Sequence, residues 1–288
     1  MKPIVIATGL VLAAGAAAAD GPRLASQVPG IAVLRLADLP AAPAPTGERQ
    51  YCSHFFIDPP ETEAGRATRA RGWEVTGEVP LGPWTAVSFV GDHLPSTSGT
   101  CDLLHGNIGL FSGGRLVGLV YSSDPEDQVI GQAVAFGPSG LRIWDGTILP
   151  QPVADLRLIG GTDVAVTPPA LEEPVCGSAV VPYLYGLPID MARGLLAEYG
   201  WQPVPQPAAG AGMAKAIAAA GVTEVEDCAG TGFGFCSFAY EGPAGSLSVV
   251  TAGEPAEDHG LPAVVGHSAQ CAGQQPPGNG LDLPSAAE

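Results

Sequence analysis

Between residues 107 and 167, apolar and polar positions alternate in short runs broken by glycine-containing turns. "NIGLF" and "RLVGLVY" flank Ser112-Gly113-Gly114, "VIGQAVAF" and "LRIWDGTI" flank "GPSG", and "VADLRLI" and "DVAVT" flank Gly160-Gly161-Thr162. Period-two alternation buries one face of a strand, and glycine supplies the positive φ that tight turns need, so each pair predicts a hairpin. "GWEVTG" and "WTAVSFV" add strands upstream. From Tyr51 to Pro168 the expected architecture is an all-β meander, closed into a barrel or folded into a sandwich. "DPPETEAGRATRARG" reads as a short helix or a loop. Residues 20–50, with "PAAPAPTGERQ", read as an extended or loosely ordered lead-in.

The pattern changes after "TPPALEEP", whose prolines and glutamates mark a linker over residues 169–177. In "PIDMARGLLAEYG", Ile189, Ala192, Leu195, Leu196 and Tyr199 recur at helical spacing. Pro188 suits the first turn and Gly200 the stop. "GMAKAIAAAG" is a second, weaker helix. "SAVVPYLYG", "TEVEDCA", "FGFCSFAYEG", "SLSVVTAGE" and "PAVVGHSAQ" read as strands. The expectation is a second domain, small and α+β, over residues 178–271: a helix laid on an antiparallel sheet. Residues 272–288, rich in Gly, Pro and Gln, read as a disordered tail.

Compartment decides what the cysteines mean. Lys2 precedes an apolar run from Ile4 to Ala14, and Ala17-Ala18-Ala19 fits a signal-peptidase site, with Asp20 the expected mature N-terminus. The run is shorter than the roughly 20 apolar residues that span a bilayer. Two lysines against ten arginines, with abundant Ala, Gly and Pro, suggest a GC-rich bacterial genome and a periplasmic or secreted product. The net charge is -17, and nine acidic residues but no Lys or Arg follow Lys215. Such a chain repels phosphate backbones and anionic headgroups, which excludes nucleic acid as a partner class. The partners that remain are an envelope component or a basic protein.

In an oxidising compartment the six cysteines read as disulfides. "DCAGTGFGFCSF" places three glycines between Cys228 and Cys236. Its glycines lead into an aromatic strand beside Glu226 and Asp227, whereas a phosphate loop enters a helix, usually with a lysine. The spacing is too long for a redox pair, and no adjacent ligands complete a zinc site. A stapled turn is the expectation. Cys52 and Cys101 pair within the β-rich region, and Cys176 with Cys271 follows by elimination, closing a loop around the second domain. The alternative for the first pair is a metal site with His54 and His105, at spacings foreign to zinc fingers.

Candidate chemistry is sparse. "GDHLPSTSG" brings Asp92, His93, Ser96 and Ser98 together in sequence, the inventory of a serine hydrolase without its nucleophile elbow. Trp73, Trp84, Trp144 and Trp201 are core residues by default, or the lining of a sugar or peptide groove. Trp144 alternates differently from Leu141 and Ile143 and is expected to face away from the core. His259 and His267 lie near the acidic C-terminal strands, as surface or satisfied residues.

The stretch 181–201 resembles a single PASTA repeat, on Val181, Pro182, Gly186, Ala192, Leu195 or Leu196, and Gly200. PASTA domains usually occur as tandem repeats attached to kinases or penicillin-binding proteins. This chain carries one copy and neither partner, and no motif residue transfers as a contact. The longer stretch to about Val265, with Gly200-Trp201 and Cys-Ala-Gly-Thr-Gly…Cys, is similar to a family of secreted bacterial proteins without an assigned activity. The expectation is therefore an exported, non-catalytic protein binding at or near the cell envelope, with no catalytic, cofactor or metal residues assigned. The alternatives are a hydrolase built on Asp92, His93 and Ser96, and an acidic inhibitor of a basic secreted enzyme.

Overall fold

The computed structural model describes residues 21–124, 128–207, 212–230, 232–242, 244–255 and 260–274. The protein is mostly β, with several antiparallel sheets and four short helices. The signal segment, His259 and the tail from residue 275 lie outside the described residues.

The first strands are β1 (Leu24–Ser26), β2 (Ile31–Leu34), β3 (Glu74–Leu81), β4 (Trp84–Val90), β5 (Asp92–Pro95) and β6 (Cys101–Leu104). The three expected hairpins follow as β7 (Asn107–Ser112) with β8 (Arg115–Ser122), β9 (Gln132–Phe136) with β10 (Gly140–Trp144), and β11 (Pro152–Ile159) with β12 (Asp163–Thr167). Two helices, α1 (Arg49–Cys52) and α2 (Glu63–Arg69), lie between β2 and β3. One five-stranded sheet runs β1-β12-β11-β10-β9 and another β2-β8-β7-β4-β3. Their inner faces share one apolar cluster: Leu81, Ile108, Leu110 and Val120 from one sheet meet Leu141, Ile143, Leu156 and Val166 from the other. Alternation delivers these residues to a common face, and burying them supplies the main drive for closure.

At one edge buried hydroxyls join the sheets. Thr76 Oγ1 bonds Ser88 Oγ at 3.0 Å and Gly131 O at 2.8 Å, while Ser88 Oγ accepts from Ala133 N at 3.0 Å. At the other edge the chain crosses from β1 to β2 through residues 27–30, and β1 lies parallel to β12. Residues 21–50 are thus not a loosely ordered lead-in. Besides β1 and β2, Ala42 N donates to Arg71 O and Pro40 O accepts from Trp73 Nε1, each at 2.8 Å. Proline-rich composition hides backbone groups whose partners lie far along the chain.

The expected linker also holds a strand. Here β13 (Glu172–Val175) pairs with β14 (Ala179–Pro182). After α3 (Ile189–Glu198) come β15 (Gln202–Pro203), α4 (Gly212–Ala219), β16 (Val225–Cys228), β17 (Cys236–Gly242), β18 (Gly245–Ala252) and β19 (Ala263–Cys271). The last sheet is ordered β15-β17-β18-β19, with β16 also on β17. Ile189, Ala192 and Leu196 of α3 pack with Trp201, Phe238 and Tyr240 in a second cluster. Pro188 is the N-cap of α3, one position earlier than expected, and Gly200 takes φ 86° just past its end.

Three disulfides join Cys52 to Cys101, Cys176 to Cys271 and Cys228 to Cys236, the pairs expected above, and no cysteine is free. They point to an oxidising, extracytoplasmic location. Among the described residues, no helix is long and apolar enough to cross a membrane.

Candidate functional site

Asp92 and His93 sit at the start of β5, and both are buried. The Asp92 carboxylate does not reach the His93 ring. Its Oδ1 accepts from the backbone N–H of Thr46 (2.9 Å), Gly47 (3.1 Å) and His93 (2.8 Å), and its Oδ2 accepts from Thr46 Oγ1 (2.6 Å). Burial alone would raise the Asp92 pKa, but these bonds outweigh it and hold the carboxyl below its ordinary value. His93 packs edge-on against Phe56, and neither ring nitrogen has a hydrogen-bond partner. Ser96 is exposed, and Ser98 falls in the 3-10 turn that follows it. Among the described side chains, no hydrogen bond links the Asp92 carboxylate, the His93 imidazole and the Ser96 hydroxyl into a relay. Asp92 instead ties the segment around Thr46 to the β-rich core.

The Cys52, His54, Cys101 and His105 set divides similarly. The cysteines are bonded to each other, and His54 Nε2 lies 2.8 Å from Gly99 O. Among the described residues, no group of three or more His, Cys, Asp or Glu side chains is placed to hold a metal. Trp73 and Trp201 are core residues, donating to Pro40 O and Val180 O. Trp84 is half-buried and donates to Thr162 O at 2.9 Å.

Trp144 is different. Leu141 and Ile143 point into the shared core, and the register of β10 on β11 shifts after Ile143. Trp144 is left half-buried, edge-on to Tyr185 with ring centroids 5.2 Å apart. It forms one wall of a groove of about 290 Å³ with Phe55, Leu103, Val134 and Pro150. Phe55 ends the 3-10 turn Ser53–Phe55, directly after Cys52, so the Cys52–Cys101 bridge fixes that turn against β6. Three polar side chains join the apolar lining: Gln132, Asp145 and Thr147. Gln132 Nε2 donates to Thr76 O at 2.8 Å, leaving the amide oxygen for a ligand. Asp145 Oδ1 accepts from Thr147 N (3.0 Å) and Oγ1 (2.7 Å). Burial raises the Asp145 pKa against the pull of these bonds. The groove therefore offers two aromatic faces flanked by an amide, a hydroxyl and a carboxyl group of weakened acidity. Sequence reasoning singled out Trp144 alone. Phe55, Gln132, Asp145 and Thr147 carried no motif, and the one available signal for Phe55 was its place three residues after a bridged cysteine.

Arg142 leaves β10 on the same side as Trp144 and enters a buried ionic cluster. Its guanidinium bonds Asp155 (3.0 Å), Glu173 (3.2 Å) and Ala170 O (3.3 Å), and lies 3.6 Å from the centroid of the Phe136 ring. Burial raises the Glu173 pKa, opposed by Arg142. His267, from β19, has Nε2 3.7 Å from Glu173 Oε2, too long for a strong hydrogen bond. Burial first, then the Arg142 charge, pull His267 down to about 4. Tyr185 stacks between Trp144 and His267, with its own pKa raised mainly by burial. The cluster thus braces the back of Trp144. No family model, curated protein or solved structure matches the chain.

Proposed function

We propose that this chain is an exported, non-catalytic protein of two domains that binds a sugar ring of an envelope glycan in the Phe55–Trp144 groove. The division falls at residues 169–177, between a β-rich domain (51–168, completed by β1 and β2) and the α+β, PASTA-like domain (178–271). Support comes from the apolar clusters, none of which spans the division, so that the two parts meet through the Arg142–Glu173 ion pair and the Trp144–Tyr185 contact. The disulfides support export to the periplasm or beyond.

The observation that carries the ligand assignment is the pairing of two aromatic walls with Gln132, Asp145 and Thr147. Sugar rings present an apolar face of C–H groups and a rim of hydroxyls. They fit aromatic side chains flanked by a few polar groups. Calorimetric titration of the purified protein with peptidoglycan disaccharides and chito-oligosaccharides tests the reading. Saturable binding is expected, weakened about tenfold by Trp144→Ala and much less by Trp144→Phe. Absence of binding, or binding indifferent to Trp144→Ala, overturns it.

A further inference from the structure

The ten arginines divide cleanly by partner. Arg23, Arg49, Arg69, Arg142, Arg157 and Arg193 each form an ion pair with Asp or Glu. Among the described residues, Arg35, Arg66, Arg71 and Arg115 form none, although Asp and Glu number 29 in the chain. These four line two cavities, of about 1000 and 380 Å³, that share Ala37, Ser112, Arg115 and Leu116 and so form one groove. Three segments supply its arginines. One is the stretch after β2, with Arg35; the second is α2 and the turn after it, with Arg66 and Arg71; the third is the start of β8, with Arg115.

Arg35 and Arg66 are steadied by carbonyl oxygens, those of Gly21 (3.0 Å) and Glu61 (2.7 Å). Among the described residues, the side chains of Arg71 and Arg115 make no hydrogen bond. Asp38 and Glu63 also line the groove, so four guanidinium groups face two carboxylates. In a chain of net charge -17, every arginine elsewhere is neutralised locally, and the unneutralised ones are gathered on one groove. Four like charges repel one another unless something anionic sits among them, and guanidinium groups match phosphate and carboxylate oxygens with paired donors. The groove is wide and open, which suits several anionic groups spread along a ligand better than one small enclosed ion. We propose that it binds a ligand bearing clustered phosphate or carboxylate groups, at a site separate from the Trp144 groove.

Two probes test this, inorganic tripolyphosphate and vesicles of phosphatidylcholine with or without cardiolipin. Calorimetry with tripolyphosphate at low ionic strength should show saturable binding that weakens as salt is raised. The Arg71→Ala/Arg115→Ala double variant should bind about tenfold more weakly or worse, because two charge-assisted contacts to the anion are removed. Arg23→Ala, exposed and paired with Asp163, should bind as the parent does. Flotation with cardiolipin vesicles, lost in the double variant, supports the site and places its anion on a lipid headgroup. Tripolyphosphate binding without flotation supports it with a soluble anion. Neither probe binding, or either binding undiminished in the double variant, overturns the proposal. The substituted side chains are exposed, and circular dichroism verifies that the variant is folded.

Discussion

The Arg142 guanidinium donates to Asp155 Oδ1 at 3.0 Å with both side chains closed off from water. Asp155 uses its other oxygen on Arg157 (2.8 Å) and Ala170 N (2.8 Å), so one buried carboxylate ties β11 to β10 and to the segment leading into β13. Replacing a single partner strands a buried charge. Asp155→Asn should cost roughly 3–5 kcal/mol in urea unfolding, while Arg142→Leu/Asp155→Leu should recover a good part of that loss. A single-substitution cost below about 1 kcal/mol would mean that water reaches the pair.

His267 makes stability depend on pH. Its native pKa of about 4 lies below its ordinary 6.5, so as pH falls the unfolded chain takes up the proton first. The contribution is fully present above pH 6.5 and is lost between about 6.5 and 4, reaching roughly 3 kcal/mol. Glu173, with its pKa raised by burial, acts in the opposite sense, so the comparison must be between parent and His267→Gln in the same buffers. Unfolding free energies from pH 7 to 4 should fall less steeply for His267→Gln.

Loop length ranks the disulfides. Cys176–Cys271 spans 95 residues and Cys228–Cys236 only 8. In the chain-entropy model the first contributes about 4.7 kcal/mol and the second about 2.5. Serine replacements at each pair, compared by chemical denaturation, should preserve that order.

Asp92 is expected to behave as a tie rather than a catalyst. Asp92→Ala leaves the backbone N–H groups of Thr46 and Gly47 without their acceptor. A loss of about 2–3 kcal/mol and faster proteolytic nicking near Thr46 should follow. Gly47→Ala should act similarly, because an added Cβ would fall 1.6 Å from His93 O. A serine-reactive phosphonate probe should leave Ser96 unlabelled, and labelling there would restore the hydrolase reading.

Much of the strand pattern was legible because it is written locally. Alternation in "RLVGLVY" and "DVAVT" and the glycine turns beside them identify hairpins without knowledge of the rest of the chain. Leu24–Ser26 could not be read that way. Its partner β12 comes 140 residues later, with Leu24 opposite Val164, and no adjacent turn announces the pairing. The candidate groove follows the same division. Trp144 is a large aromatic at an outward-facing position of β10 and could be noticed, whereas Phe55 reaches the groove through a disulfide-anchored turn. The arginine groove was illegible because which arginines find a carboxylate is settled only by tertiary packing.

The parallel pairing of β1 with β12 also sets an order of assembly. A ribosome delivers Leu24 long before Val164, so the edge of the first sheet stays open while the hairpins between them form and collapse. β2 meanwhile can dock on β8 as soon as Ser122 emerges. The two strands at the start of the chain therefore close opposite sheets at different times. The pairing of β1 with β12 must wait for residues 140 positions further on, and such non-local closure slows folding. Until then the outer edge of β12, paired on its other side with β11, stays open. A chain held extended until it is fully released meets this delay once, whereas one folding as it emerges carries an unfinished edge throughout.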